Sequence, residues 1–112
     1  MRMVLTPVEL ITQILPFAIK RVYYMYEVTA KRGGHRHKKT IQGLVCLNGS
    51  CEVFLNDGHT KRTELLNSPR RLLIVEPQDW HTMDQFSPGA ILLVLASEVY
   101  DRQDYIDEEY PA

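Results

Sequence analysis

Beyond Phe17 the chain alternates between apolar and polar positions, or runs apolar for a few residues, and meets a turn signal about every ten residues. That pattern predicts an all-β sandwich or barrel with little helix. The expected strands are Ile19–Tyr26, Thr40–Leu47, Cys51–Leu55, Thr63–Leu66, Arg71–Val75, His81–Gln85 and Ile91–Ser97. Between them stand Asn48-Gly49, Asn56-Asp57-Gly58, Asn67-Ser68-Pro69 and Ser87-Pro88-Gly89, residue types that tolerate positive φ or fix φ and so mark turns. Upstream, Val8, Ile11 and Leu15 fit either a helical turn or a poorly alternating edge strand. Downstream, Asp101–Tyr110 fits a polar closing helix.

Asn48-Gly49 is the clearest hairpin signal. A type I′ turn there pairs Leu47 with Ser50 and sets Cys46 opposite Cys51 at a Cα separation of about 4.5 Å, the short end of the disulfide range. A bridge is geometrically open, but two small buried thiols in a reducing compartment are the expectation, and neither is assigned chemistry.

Length and composition then narrow the class. The 112 residues make one domain, 1–112, with 45% apolar and 24% charged residues, the composition of a folded globular chain. Thirteen Lys and Arg against fourteen Asp and Glu leave a net charge of -1, which gives no reason to expect nucleic acid or an anionic membrane as partner. The longest apolar run, Ala90–Ala96, is far short of the roughly 20 residues that span a bilayer. No signal-peptide pattern opens the chain, so the expected compartment is the cytoplasm. Charge is nonetheless uneven along the chain. Lys20–Lys39 holds seven Lys or Arg and one acid, whereas Glu98–Glu109 holds six acids and one Arg, which suggests a local anion site.

The densest chemistry is Arg32-Gly33-Gly34-His35-Arg36-His37-Lys38-Lys39. Two histidines at i and i+2 on an extended segment face the same way, so both imidazoles can converge on one point inside a barrel. A solvated basic loop with the histidines along its edge fits the same residues. His81 follows Pro77-Gln78-Asp79-Trp80 and opens a later strand, which repeats the layout of the two cupin motifs. In metal-binding cupins a glutamate completes the first motif, whereas Thr40-Ile41-Gln42-Gly43 offers no carboxylate. Neutral imidazoles flanked by Arg36 and Lys38 make a poor site for a hard cation, so no metal or other cofactor is expected. His59, in a hairpin turn, is expected to be solvated.

Pro16-Phe17-Ala18-Ile19-Lys20-Arg21-Val22-Tyr23-Tyr24, the Arg32–Lys39 segment, Leu44–Cys51 and Leu93–Ser97, with Tyr100-Asp101 and Asp104-Tyr105-Ile106 after it, resemble the nucleotide-sugar 3,4-ketoisomerases of the WxcM-like type. The resemblance covers roughly residues 14–106. It implies a cupin jelly-roll barrel with a short C-terminal helix, a homodimer whose second subunit covers the sheet edges, and a dTDP-linked 4-keto-6-deoxy sugar as substrate. The family moves the carbonyl from C4 to C3 without metal or organic cofactor, in deoxysugar biosynthesis. By the same resemblance His35 and His37 are the acid/base groups, and Arg32 is a phosphate or oxyanion contact. Arg21 and Tyr23, which share one strand face, are expected to line the site. Trp80 is expected either to stack on thymine or to serve as a core or rim aromatic, with His81 at the pocket mouth. The family's opening segment, whose strand exchanges between subunits, is altered here, with Arg2 as its remnant. The competing reading is a catalytically silent sugar-nucleotide-binding cupin that partners another pathway enzyme.

Overall fold

The computed structural model describes residues 13–112. The expectations for Arg2, Val8 and Ile11 lie outside the described residues. Nine strands follow in chain order: β1 Arg21–Tyr26, β2 Arg32–His37, β3 Gln42–Asn48, β4 Cys51–Asn56, β5 Lys61–Leu66, β6 Leu73–Val75, β7 Trp80–Asp84, β8 Ile91–Ala96 and β9 Tyr105–Ile106. They form two antiparallel sheets, ordered β1-β8-β3-β6 and β5-β4-β7-β2-β9, which face each other as a jelly roll.

Alternation decides which side chains enter the space between the sheets. In the first sheet, Arg21 and Gln42 both pair with Ala96, Tyr23 and Leu44 with Val94, and Met25 and Cys46 with Leu92. These inward rows therefore grade from polar at one end to apolar at the other. The apolar end closes on Cys46, Cys51, Val53, Leu55, Leu66, Met83 and Leu92, all buried and in one cluster. The polar end is left for chemistry.

Two sequence expectations change. Asn48-Gly49 is a corner between sheets rather than a hairpin: β3 pairs with β6 and β8, while β4 pairs with β5 and β7. The reason is that both strands bury residues on the face between the sheets, so their edges are taken by other partners. Gly49 has φ +70°, and a Cβ there would fall 2.4 Å from the Ser87 hydroxyl. Cys46 and Cys51 are buried free thiols, and burial pushes the Cys51 thiol up to about 12. In place of a closing helix, a single 3-10 turn, Arg102–Asp104, leads into β9, which pairs with Arg36 and His37 of β2. The ladder to β2 offers the chain better hydrogen bonding than a short polar helix in water.

Candidate active site

β2 carries no apolar residue at all, and pairing with β7 and β9 holds it in place. Gly33 and Gly34 both take positive φ, and the register shifts between Gly33 and His35. A Cβ on Gly33 would lie 2.9 Å from the His81 carbonyl oxygen, so only glycine lets β2 approach β7 this closely. Beyond this bulge His35 and His37 face the barrel interior.

The structure brings together His35, His37 and His81. Ring centroids lie 5.1 Å apart for His35 and His37, 5.0 Å for His35 and His81, and 6.2 Å for His37 and His81. Tyr105, delivered by β9, packs its ring 4.7 Å from His35 and 4.6 Å from His37. Arg21 donates from Nη1 to the Tyr105 hydroxyl at 3.2 Å, and its guanidinium lies 4.5 Å from the Tyr23 ring centroid and 5.2 Å from that of Tyr100. Gln42 Nε2 donates to the Tyr23 hydroxyl at 3.2 Å. Arg21 and Tyr23 both lie at the polar end, and His81 is almost fully buried.

Asp104 enters the sequence reading only within the Asp104-Tyr105-Ile106 segment that carries the resemblance, with no role assigned, as one of six acids in the tail. It is buried, and its carboxylate accepts from His37 Nδ1 at 3.0 Å, from the Lys39 amide at 2.9 Å and from the Thr40 hydroxyl. Burial works to raise its pKa, but the hydrogen bonds from Thr40, Lys39 and His37 outweigh burial and hold the carboxyl below its ordinary range. An ionised carboxylate only accepts, so the His37 proton resides on Nδ1 and a lone pair on Nε2. That Nε2 is buried and has no hydrogen-bond partner among the described residues.

All three imidazoles are held neutral. Burial, with His37 adding to it, lowers His35 to about 4. Burial also lowers His37, against the opposing pull of Asp104. His81 donates from Nδ1 to the Asp79 carbonyl at 3.0 Å, yet burial lowers it to about 4. A folded pKa below the unfolded value of about 6.5 means that the unfolded chain binds the extra proton first, so stability is complete above pH ~6.5 and declines as pH falls toward 4. From His81 alone, about 2 kcal/mol should be lost between pH 7.5 and pH 5. Urea midpoints measured at the two pH values test this, and equal midpoints would refute the assignment of a neutral buried His81.

Two residues stand elsewhere. Arg32 is exposed and lines a surface groove with Tyr24 to Ala30, set apart from the imidazoles by the two-glycine bulge. Trp80 points to the opposite face from His81, because they are neighbours on one strand. Its indole donates to the Asp107 carbonyl at 3.0 Å and meets the Phe54 ring at 6.3 Å, in an outer groove that also includes Glu52 and Asp84.

The fold and this polar end define a cupin-type barrel with a buried cluster of neutral imidazoles. Residues 1–111 match the family model described as FdtA, WxcM-like, C-terminal. A curated relative, TDP-4-oxo-6-deoxy-alpha-D-glucose-3,4-oxoisomerase of Aneurinibacillus thermoaerophilus, is 50% identical over 94 residues, 82% of this chain and 68% of the relative. Among solved structures, a 3,4-ketoisomerase from Helicobacter canadensis superposes with a TM-score of 0.80 at 44% identity, covering 84% of this chain and 72% of that one. A mutant of the 3,4-ketoisomerase QdtA from Thermoanaerobacterium thermosaccharolyticum, in complex with TDP-4-keto-6-deoxyglucose, superposes with a TM-score of 0.81 at 45% identity, covering 84% and 70%. The chain belongs to the WxcM-like family of sugar 3,4-ketoisomerases.

Proposed function

We propose that the protein is a sugar 3,4-ketoisomerase that converts a dTDP-linked 4-keto-6-deoxyglucose to its 3-keto isomer by proton transfer through an enediol. The observation that carries this reading is the His37–Asp104 pair, which aims an unpartnered buried Nε2 at the interior. The reaction must remove the C3 proton and return a proton to C4. A carboxylate-backed imidazole suits this, because Asp104 fixes the tautomer and stabilises the imidazolium that forms. His35, neutral and packed edge-on against His37, serves the sugar oxygens as a hydrogen-bond donor. Arg21 supplies positive charge beside the developing enediolate, and Tyr23 lines the same end. Arg32, exposed beyond the two-glycine bulge, takes the diphosphate on this reading rather than the reacting carbons.

The reaction needs no metal or organic cofactor on this reading. Among the described residues no group of three His, Cys, Asp or Glu side chains is arranged to hold a metal ion. Incubation with TDP-4-keto-6-deoxyglucose, before and after treatment with a chelator, should give the same 3-keto product by NMR. Activity abolished by the chelator and restored by one particular ion would overturn cofactor independence, and binding of dTDP without turnover would favour the silent binding module.

The domain is a single unit over 1–112 and works as a homodimer. Val22, Tyr24 and Tyr26 on the outer face of β1 are 57%, 62% and 60% exposed, an apolar edge of the kind a second subunit covers. Sedimentation at micromolar concentration should give twice the 13.0 kDa chain mass, and a monomer there would remove this claim. No helix among the described residues is long and apolar enough to cross a membrane. Two buried free thiols suit a reducing compartment, and we place the protein in the cytoplasm.

A further inference from the structure

Whatever fixes His37 on β2 bears on turnover, and its placement draws on segments far apart in the chain. Its Nδ1 meets Asp104 at 3.0 Å, its amide donates to the Pro77 carbonyl at 2.9 Å, and its register partner is Tyr105 of β9. β9 is only two residues long, so its ladder with β2 holds at Arg36 and His37 alone. So short a ladder offsets little of the entropy lost in ordering the chain that leaves it. The order must be supplied further along.

The residues after β9 form a strap over the outer face of the second sheet. The Asp107 carbonyl accepts from the Trp80 indole at 3.0 Å, and the Glu109 carboxylate accepts from the buried Asn56 amide at 3.0 Å. Tyr110 closes the strap. Its hydroxyl donates to the Gln78 carbonyl at 2.8 Å, and its ring lies 4.3 Å from the Arg36 guanidinium, a cation–π contact. Arg36 precedes His37 on β2, and Gln78 follows Pro77, the acceptor of the His37 amide. A single side chain therefore grips the neighbour of His37 and the neighbour of its backbone partner. Arg36 Nε is buried with no hydrogen-bond partner among the described residues, so at that nitrogen no oxygen acceptor shares the work of the ring. Gly58 keeps room for the ring: it has φ +91°, and a Cβ there would lie 3.1 Å from Tyr110 Cδ1.

We propose that Tyr110 is a positioning residue for the isomerase reaction, clamping Arg36 and Gln78 from the outer face of the barrel and so holding His37 in place against Asp104. The inference rests on the ketoisomerase reading. Arg36 alternates with His35 and His37, so its side chain and the ring upon it lie on the far side of β2 from the imidazoles. Tyr110 touches no reacting atom and exchanges no proton. Its leverage is distance: a misplacement of about 1 Å caused by a change far from the chemistry can cost about 10²-fold in rate.

The test is turnover of TDP-4-keto-6-deoxyglucose by Tyr110→Ala, alone and combined with His37→Asn, with melting temperature measured alongside. The single variant is expected to lose about 10- to 10²-fold in kcat per folded molecule, with KM within about threefold of wild type. In the His37→Asn background the same change should cost less than about threefold more, because His37 is the residue it places. A tail that merely stabilises the fold would lower the melting temperature and leave kcat per folded molecule near wild type. That result, or losses that multiply in the double variant, would overturn the inference. Tyr110→Phe keeps the ring on Arg36 and drops only the Gln78 bond, so it decides the matter should Tyr110→Ala not fold: kcat should fall by about threefold or more, and a smaller loss would overturn the inference. Wild-type protein inactive on this substrate would overturn the ketoisomerase reading and the inference with it, a result distinct from wild-type turnover that the variants leave intact.

Discussion

Replacing His37 by Asn should slow turnover of TDP-4-keto-6-deoxyglucose by about 10²- to 10⁴-fold while TDP still binds, because on the proposed reading the carbon proton loses its carboxylate-backed acceptor. Asparagine keeps a polar side chain at the Asp104 contact but does not titrate in this range. His35→Asn should fall within the same range for a different reason, the loss of the imidazole donor beside the sugar oxygens. Product formed in deuterium oxide adds a second reading. Deuterium should appear at C4 unless the imidazolium is shielded and carries the same proton from C3 to C4. Turnover near wild type in both variants would place the chemistry elsewhere in the barrel.

The sequence exposed the fold through β1, β3, β4, β7 and β8, where alternation or an apolar run is plain. It was silent on β2 as a strand, because Arg32-Gly33-Gly34-His35-Arg36-His37 has no apolar residue to set a period. Only the neighbours β7 and β9 make that segment a strand, and such partners are long-range in sequence. The i, i+2 spacing of His35 and His37 did forecast a shared face, since that argument needs only local geometry. Local geometry also explains the failure at Asn48-Gly49: a two-residue turn fixes a reversal of direction but not whether the two strands then share a sheet.

The site shows the same division. Arg21 and Tyr23 could be placed from parity on one strand, and Trp80 is separated from His81 by that same parity once β7 is known to have one face inside. Asp104 and Tyr105 could not, because their positions depend on a 3-10 turn capped by Asp101 and on β9 pairing with β2. Nothing in an acidic tail distinguishes the one carboxylate that folds inward. The tail is also what holds the far side of β2: Tyr110 lies under the Arg36 guanidinium at 4.3 Å and donates to the Gln78 carbonyl at 2.8 Å. The residues after the core thus complete the polar end and fasten the strand that carries the histidines.

Asp104→Asn should therefore reduce turnover by an amount comparable to loss of His37 itself, although Asp104 need not touch the sugar. The carboxylate accepts three hydrogen bonds, whereas an asparagine has one accepting oxygen and an amide that donates. If the amide faces His37, Nδ1 must become the acceptor and the proton moves to Nε2, the atom that is to act as base. The imidazolium also loses its counter-charge. In a serine-protease triad the corresponding substitution lowers kcat by about 10⁴ through the same tautomer reversal, and a loss of about 10²- to 10⁴-fold is expected here. Mismatched donors from Lys39 and Thr40 should cost a further ~1–3 kcal/mol of stability. Because Asp104 acts through His37, the double variant with His37→Asn should be scarcely slower than His37→Asn alone. Nearly multiplicative losses would separate the two residues, and a folded Asp104→Asn with wild-type kcat would show that His37 does not need the carboxylate to act as base.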